Sequence, residues 1–145
     1  MSLPTTRPAL TMKTLEGRLL TLKDFQGQVL LLDVWATWCP PCLEDIPELQ
    51  ALHKKYRAKG FSVVGVSLDE EGASAVRPLL TRNKISYPML LDTSGKSSTR
   101  AVLDITTLPS LFLMDAKGVI IGHWTGRTNK DEIEAAIISA LGTAK

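Results

Sequence analysis

Cys39 and Cys42 stand three apart in Trp38-Cys39-Pro40-Pro41-Cys42, and the 145-residue chain has no other cysteine. Residues three apart on a helical turn bring their alpha carbons within the ~4.4–6.8 Å that a disulfide needs. The loop such a bond closes is too small to add much stability through chain entropy, so the pair points to chemistry rather than stapling. A Cys-x-x-Cys that follows a strand and opens a helix is a redox signature. At a helix N-terminus the partial positive charge favours a Cys39 thiolate. Cys42, one turn further in and less exposed, is placed to attack a mixed disulfide formed at Cys39. Neither Pro40 nor Pro41 has a backbone N–H. The Cys39 thiolate is therefore left with the Cys42 and Leu43 N–H groups and the dipole. Moderate acidity is expected, which suits a reductant better than a strong oxidant, because strong oxidants have a very stable reduced thiolate.

Composition removes other classes. Two cysteines cannot build a multi-bridge secreted scaffold or a four-sulfur zinc site. His53 and His123 lie seventy apart, unlike the close ligand pairs of structural zinc, so no metal site is expected. His53 is expected on a helix surface and His123 in a strand, and neither is given a role. With 17 basic and 15 acidic residues the net charge is +2. No element concentrates the basic residues, so nucleic acid is not an expected partner. A 44% hydrophobic content excludes a disordered chain. The scattered Gly and Pro exclude collagen-like or low-complexity material.

The length fits one domain over 1–145, with residues 1–7 expected to be a disordered or cloning-derived leader. No apolar run approaches the ~20 residues that span a bilayer. The start Met-Ser-Leu-Pro-Thr-Thr has neither a basic n-region nor an apolar h-region, so no signal peptide is expected. If Met1-Ser2-Leu3 is a cloning leader, a native signal or anchor has been trimmed away.

The elements that position the cysteines follow from periodicity. Met12–Leu15 and Arg18–Leu22 form a hairpin around Glu16-Gly17. Val29–Trp35 is a continuous apolar run interrupted by Asp33, the pattern of a central strand covered on both faces. A helix follows the cysteines, with Ile46, Leu49, Leu52 and Tyr56 on one face and Gly60 as its stop. Pro47 lies inside it and is expected to kink it. Phe61–Leu68 is a second buried strand, Ala73–Asn83 a helix, Met89–Asp92 a short extended piece and Lys96–Val102 a short helix. Leu111–Met114 and Val119–Ile121 are strands joined by the Asp115–Gly118 turn, and Asn129 caps a last helix. Strands alternating with helices predict an α/β domain with parallel pairing first, and the closing hairpin predicts a mixed sheet.

The stretch Val34-Trp35-Ala36-Thr37-Trp38-Cys39-Pro40-Pro41-Cys42 resembles the active site of the thioredoxin superfamily, and the chain most resembles its TlpA/ResA/CcmG-like extracytoplasmic branch. The likeness runs from Leu10 to Leu141 and takes in the hairpin, Pro47, Leu108-Pro109 and the Asp115–Gly118 turn. It implies an α/β thioredoxin-like fold: a central mixed sheet flanked by helices, with an N-terminal β-hairpin extension. It implies that Pro109 is a cis-proline facing the cysteines, with Leu108 offering backbone groups to a bound peptide. Trp38, Pro40 and Pro41 complete the expected substrate surface. Asp33 takes the place of the carboxylate that accepts the buried cysteine's proton, where many extracytoplasmic relatives carry Asn. Glu70 falls near a glutamate that lies beneath the cysteines in the ResA-like branch, the alternative being a solvated acidic loop.

The function so implied is a protein-disulfide reductase with no cofactor beyond its Cys39–Cys42 dithiol. Its partners would be protein disulfides, apocytochrome c among them, and a membrane thiol electron donor. The protein would act outside the cytoplasm as a monomer. A cytosolic thioredoxin-like reductase is the nearest alternative, supported by Asp33. The hairpin and the insert between Leu68 and Met89 speak against it, since a minimal thioredoxin lacks both. A copper chaperone on the same fold would have wider cysteine spacing and a nearby histidine. A peroxidase would carry Thr-x-x-Cys, which Trp-Cys-Pro-Pro-Cys does not match.

Overall fold

In a computed structural model of the chain, residues 11–93, 98–126 and 129–143 are described. The expected leader at 1–7 and the first two residues of the predicted Lys96–Val102 helix lie outside them. The strands are β1 (Thr11–Thr14), β2 (Leu19–Thr21), β3 (Val29–Trp35), β4 (Phe61–Ser67), β5 (Met89–Leu91), β6 (Ser110–Met114) and β7 (Ile120–Thr125). The helices are α1 (Pro40–Tyr56), α2 (Ala73–Asn83), α3 (Ser98–Val102) and α4 (Lys130–Thr143). One mixed sheet runs β2-β1-β5-β4-β3-β6-β7. β3 pairs parallel with β4 and antiparallel with β6. The N-terminal hairpin does not stand apart from the sheet: β1 pairs antiparallel with β5 and extends it.

β3 is buried at all seven positions, as its unbroken apolar run predicts. Alternate side chains supply two cores. Leu31 and Trp35 face the cluster shared with α1, α2 and α4. Leu30, Leu32 and Val34 face the cluster that includes Leu22, Leu103 and Ile105. β4 is likewise buried throughout. Glu134 of α4 ties the last helix to α1, accepting hydrogen bonds from Lys55 Nζ at 2.8 Å and the Tyr56 hydroxyl at 2.6 Å.

Two local expectations are corrected, at the second hairpin strand and at His53. The second hairpin strand stops at Thr21, where a capping box turns the chain into a 3-10 turn over Leu22–Phe25. Asp24 accepts from the Thr21 N–H, the Thr21 hydroxyl oxygen accepts from the Lys23 N–H, and Leu22 swings into the core instead of continuing the strand. α1 passes through Pro47 as one helix and then tightens into a 3-10 turn over Arg57–Lys59, ending at Gly60 with φ 91°. His53 is not on the helix surface. It is buried, and its Nδ1 accepts the Val63 backbone N–H at 3.2 Å, joining α1 to β4.

Gly65 of β4 sits between Asp33 and Met89 in the register of the sheet. A Cβ there would stand 2.6 Å from the Met89 Sδ and Cε and 3.3 Å from the Trp35 indole nitrogen. The absence of a side chain lets the Met89 thioether cross β4 and accept the Trp35 indole N–H at 3.0 Å. Gly65→Ala must push Met89 off this bond inside a packed core, and a loss of about 1–3 kcal/mol in urea unfolding is the expected result. An unchanged midpoint would show that Met89 relaxes freely.

Candidate active site

β3 ends at Trp35, and the chain turns through Ala36, Thr37 and Trp38 before α1 begins at Pro40. Asp69 holds that turn. Its buried carboxylate accepts the Thr37 backbone N–H at 3.0 Å, the Thr37 hydroxyl at 2.6 Å and the Ser67 hydroxyl at 2.6 Å. Two further backbone bonds close the frame, Leu68 N–H to Trp35 O at 2.9 Å and Cys39 N–H to Ala36 O at 3.2 Å. The redox loop is thus fastened at both ends to the carboxyl edge of β3 and β4, where ligands meet open α/β sheets.

Cys39 is the N-cap of α1, and it forms a disulfide with Cys42 across an alpha-carbon separation of 5.3 Å. Cys39 keeps 6% of its surface exposed and Cys42 none, so an incoming thiol can reach only Cys39. The Cys42 N–H points to the Cys39 sulfur at 3.3 Å. The Leu43 N–H does not serve the sulfur as expected. It is spent on the Cys39 carbonyl oxygen at 3.3 Å, closing the first helical turn. With prolines at both intervening positions, one backbone donor faces the sulfur.

Trp38 stands beside Cys39 with 64% of its surface exposed. Pro40 is exposed, while Pro41 and Leu108 are half-buried. The Leu108–Pro109 peptide is cis. Register places it at the active-site end of the sheet: Ser110 pairs with Val34, so Pro109 follows beside the end of β3. Its carbonyl accepts the Gly126 N–H at 3.0 Å, fixing the start of β6 to the end of β7.

Asp33 lies in β3 with 1% of its surface exposed, and no protein group bonds its Oδ1. Burial, with a smaller contribution from the charge of Asp45, pushes its pKa up to about 8. Glu70 is not beneath the cysteines. It is an exposed residue of the loop after β4, and its neighbour Asp69 takes the buried position. The acid that does share the Asp33 pocket is Asp45, half-buried on α1 one turn after Cys42. Asp45 is not among the residues expected at the site, although its spacing of three from Cys42 puts it on the cysteine's face of the helix. Among the described residues, no group of three or more His, Cys, Asp or Glu side chains could hold a metal ion.

A surface-reachable sulfur at a helix N-terminus, a buried partner sulfur and a cis-proline strand beside them define a thioredoxin-like thiol–disulfide oxidoreductase. Residues 5–123 match the AhpC/TSA family, and the chain belongs to it. It is 31% identical over 127 residues to the thiol-disulfide oxidoreductase ResA of Bacillus thuringiensis subsp. konkukian, covering 88% of this chain and 72% of that one. It is 33% identical over 129 residues to the thioredoxin-like protein YneN of Bacillus subtilis, covering 88% and 74%. A Chlorobium tepidum structure described as the thiol:disulfide interchange protein DsbE superposes with a TM-score of 0.87 at 30% identity, covering 97% of this chain and 100% of that one.

Two outcomes test this geometry. Unfolded, Asp33 returns to an ordinary aspartate pKa near ~4. Between about 4 and 8 the folded protein holds a proton that the unfolded chain has released, so stability falls as pH rises through that window and is flat above it. In the oxidised protein, Asp33→Asn should match wild type near pH 4 and exceed it by a few kcal/mol, in order of magnitude, near pH 8. Urea midpoints that run parallel at both pH values would contradict the buried carboxyl. Asp69→Ala strands three donors and should cost about 2–4 kcal/mol while speeding amide exchange from Thr37 to Cys39. Unaltered exchange there would remove Asp69 from its clamping role.

Proposed function

We propose that the protein is a reductase of protein disulfides, with electrons carried by the Cys39–Cys42 pair and no other cofactor. The observation that carries this is the poor donor set at Cys39: one backbone N–H at 3.3 Å, and prolines where two more could have been. A thiolate so weakly held keeps the dithiol form from becoming very stable, which favours giving electrons over taking them.

The cycle balances through Asp33. A Cys39 thiolate attacks a substrate disulfide, forms a mixed disulfide and expels one substrate thiolate. The Cys42 thiol gives its proton to the Asp33 carboxylate and attacks the Cys39 sulfur. The second substrate thiolate leaves, and the protein is left oxidised with Asp33 protonated. That protonated state agrees with the raised pKa of Asp33 in the disulfide form. One thiolate of a dithiol donor then attacks Cys39, Cys42 departs as it recovers the proton from Asp33, and the donor's second thiolate attacks the donor sulfur of the mixed disulfide, releasing the Cys39 thiolate and leaving the donor oxidised. Trp38, Pro40, Pro41, Leu108 and Pro109 would seat the substrate chain: the first four are exposed or half-buried, and Pro109 is buried just before β6.

Its likeness to ResA and DsbE supports work outside the cytoplasm, with apocytochrome c among the candidate substrates and a membrane thiol protein as donor. No helix among the described residues is long and apolar enough to cross a membrane. A copper-carrying role on the same fold is separated by titration, which would have to find tight binding at two sulfurs.

Redox titration tests the direction of electron flow. A midpoint in the range of thioredoxin-like reductants, roughly −200 to −270 mV, is expected, and a value near about −120 mV would sink the reductase reading. Cys42→Ser should trap mixed disulfides with substrate, and Cys39→Ser should trap none. Asp33→Asn should slow resolution by about tenfold to a hundredfold near pH 8, the lower range of acid–base catalysis.

A further inference from the structure

Tyr87 precedes β5 and is buried under α1, yet no protein group bonds its hydroxyl. It is held there firmly. Gln50 of α1 clamps the preceding residue with two bonds, its Nε2 donating to the Ser86 hydroxyl at 2.6 Å and its Oε1 accepting the Ser86 N–H at 2.9 Å. The His53 ring meets the Tyr87 ring edge-on at 5.9 Å between centroids. Pro88 O accepts the Gly65 N–H at 2.9 Å, which fixes the same segment to β4. Across the sheet, Gly65 is the residue paired with Asp33, and the Met89 thioether fills the space over it on its way to the Trp35 indole.

The hydroxyl and the Asp33 Oδ1 are both buried without a bonding group, and Tyr87 packs in the same core as Leu31 and Trp35, the neighbours of Asp33 on its face of β3. Asp33 and Asp45 both act on Tyr87 electrostatically, and together with burial they push its pKa above the ordinary tyrosine range. The ionisable groups around the ring are Asp33 from β3, and Asp45 and His53 from α1, with Arg57 beside His53. β4 contributes Val63 and Gly65, which carry no charge. Tyr87 is the neutral hydroxyl of this set, and a hydroxyl can accept from a protonated carboxyl and donate to an ionised one. Two buried oxygens left without partners are costly, and a bond between them, direct or across one water, removes both costs.

We propose that Tyr87 is a positioning residue for Asp33, its hydroxyl bonding the carboxyl in both protonation states and thereby setting how readily Asp33 gives up its proton. The proposal deepens the reading of Asp33 as the proton acceptor for Cys42 and rests on it for its consequence in the cycle. Bonds to the charged form are roughly twice as strong as bonds to the neutral form. Loss of the hydroxyl should therefore penalise the carboxylate more than the acid.

Two measurements decide it. In the wild-type protein, the carboxyl carbon of Asp33 and the oxygen-bearing ring carbon of Tyr87 should shift together as pH is raised through Asp33's titration, followed by carbon NMR. A Tyr87 carbon that stays flat through that titration overturns the proposal without any mutation. In Tyr87→Phe, which keeps the ring against His53, the Asp33 titration should move up by about one pH unit. The pH midpoint for mixed-disulfide resolution should move with it. An Asp33 titration unmoved by Tyr87→Phe also overturns it, even if the melting temperature changes, because a purely structural tyrosine would alter only the latter. The proton-acceptor reading fails separately, if Asp33→Asn resolves mixed disulfides at the wild-type rate. The NMR shifts report the Tyr87–Asp33 contact whether or not that happens.

Discussion

An ionisable carboxyl in a strand with no water on either face is the constraint around which this molecule is arranged. β3 carries seven consecutive buried residues, and Asp33 is the fifth of them. An unpaired carboxylate there is expensive, and the group answers by keeping its proton to about pH 8. Placing Asp45 in the same pocket adds to the cost rather than relieving it, which marks the site as tuned for proton affinity rather than for stability.

The rest of the sheet keeps that pocket in register with the cysteines. Asp69 fastens the loop that leaves β3, while Trp35 and Met89 tie the end of β3 across Gly65 to β5. His53 binds α1 down to β4, and Gln50 binds it to the segment that leads into β5. These bonds join α1 to strands far from it in sequence, so the helix that carries Cys42 and Asp45 cannot slide without breaking several at once. A disulfide that opens and closes needs such a frame, because the sulfurs must return to attack distance each time.

The redox pair and the succession of strands and helices along the chain were legible from spacing and periodicity, and the cis Pro109 from the family resemblance alone. The hidden parts depend on which face a side chain takes. In Asp69-Glu70-Glu71 composition gives three equivalent acids. Past the end of β4, the bonds from Thr37 and Ser67 hold Asp69 inward, while Glu70 enters an exposed turn. His53 looks like a surface residue among Lys54, Lys55 and Arg57, yet it falls on the buried face and finds the Val63 N–H. Leu43 was expected to serve the sulfur, but its N–H is aimed down the helix axis and closes the first turn. None of these can be read without the backbone's rotation.

The same rotation explains how two cysteines suffice. Of the two sulfurs Cys39 alone touches solvent, so the first attack has one address, and Cys42 is sealed behind it. A dithiol with no spare sulfur gains direction from burial rather than from additional groups. The near-neutral net charge of +2 fits that economy. Long-range steering would bring partners to a charged face without orienting them. An exposed tryptophan beside the one reachable sulfur orients by contact, at the distance where the exchange occurs.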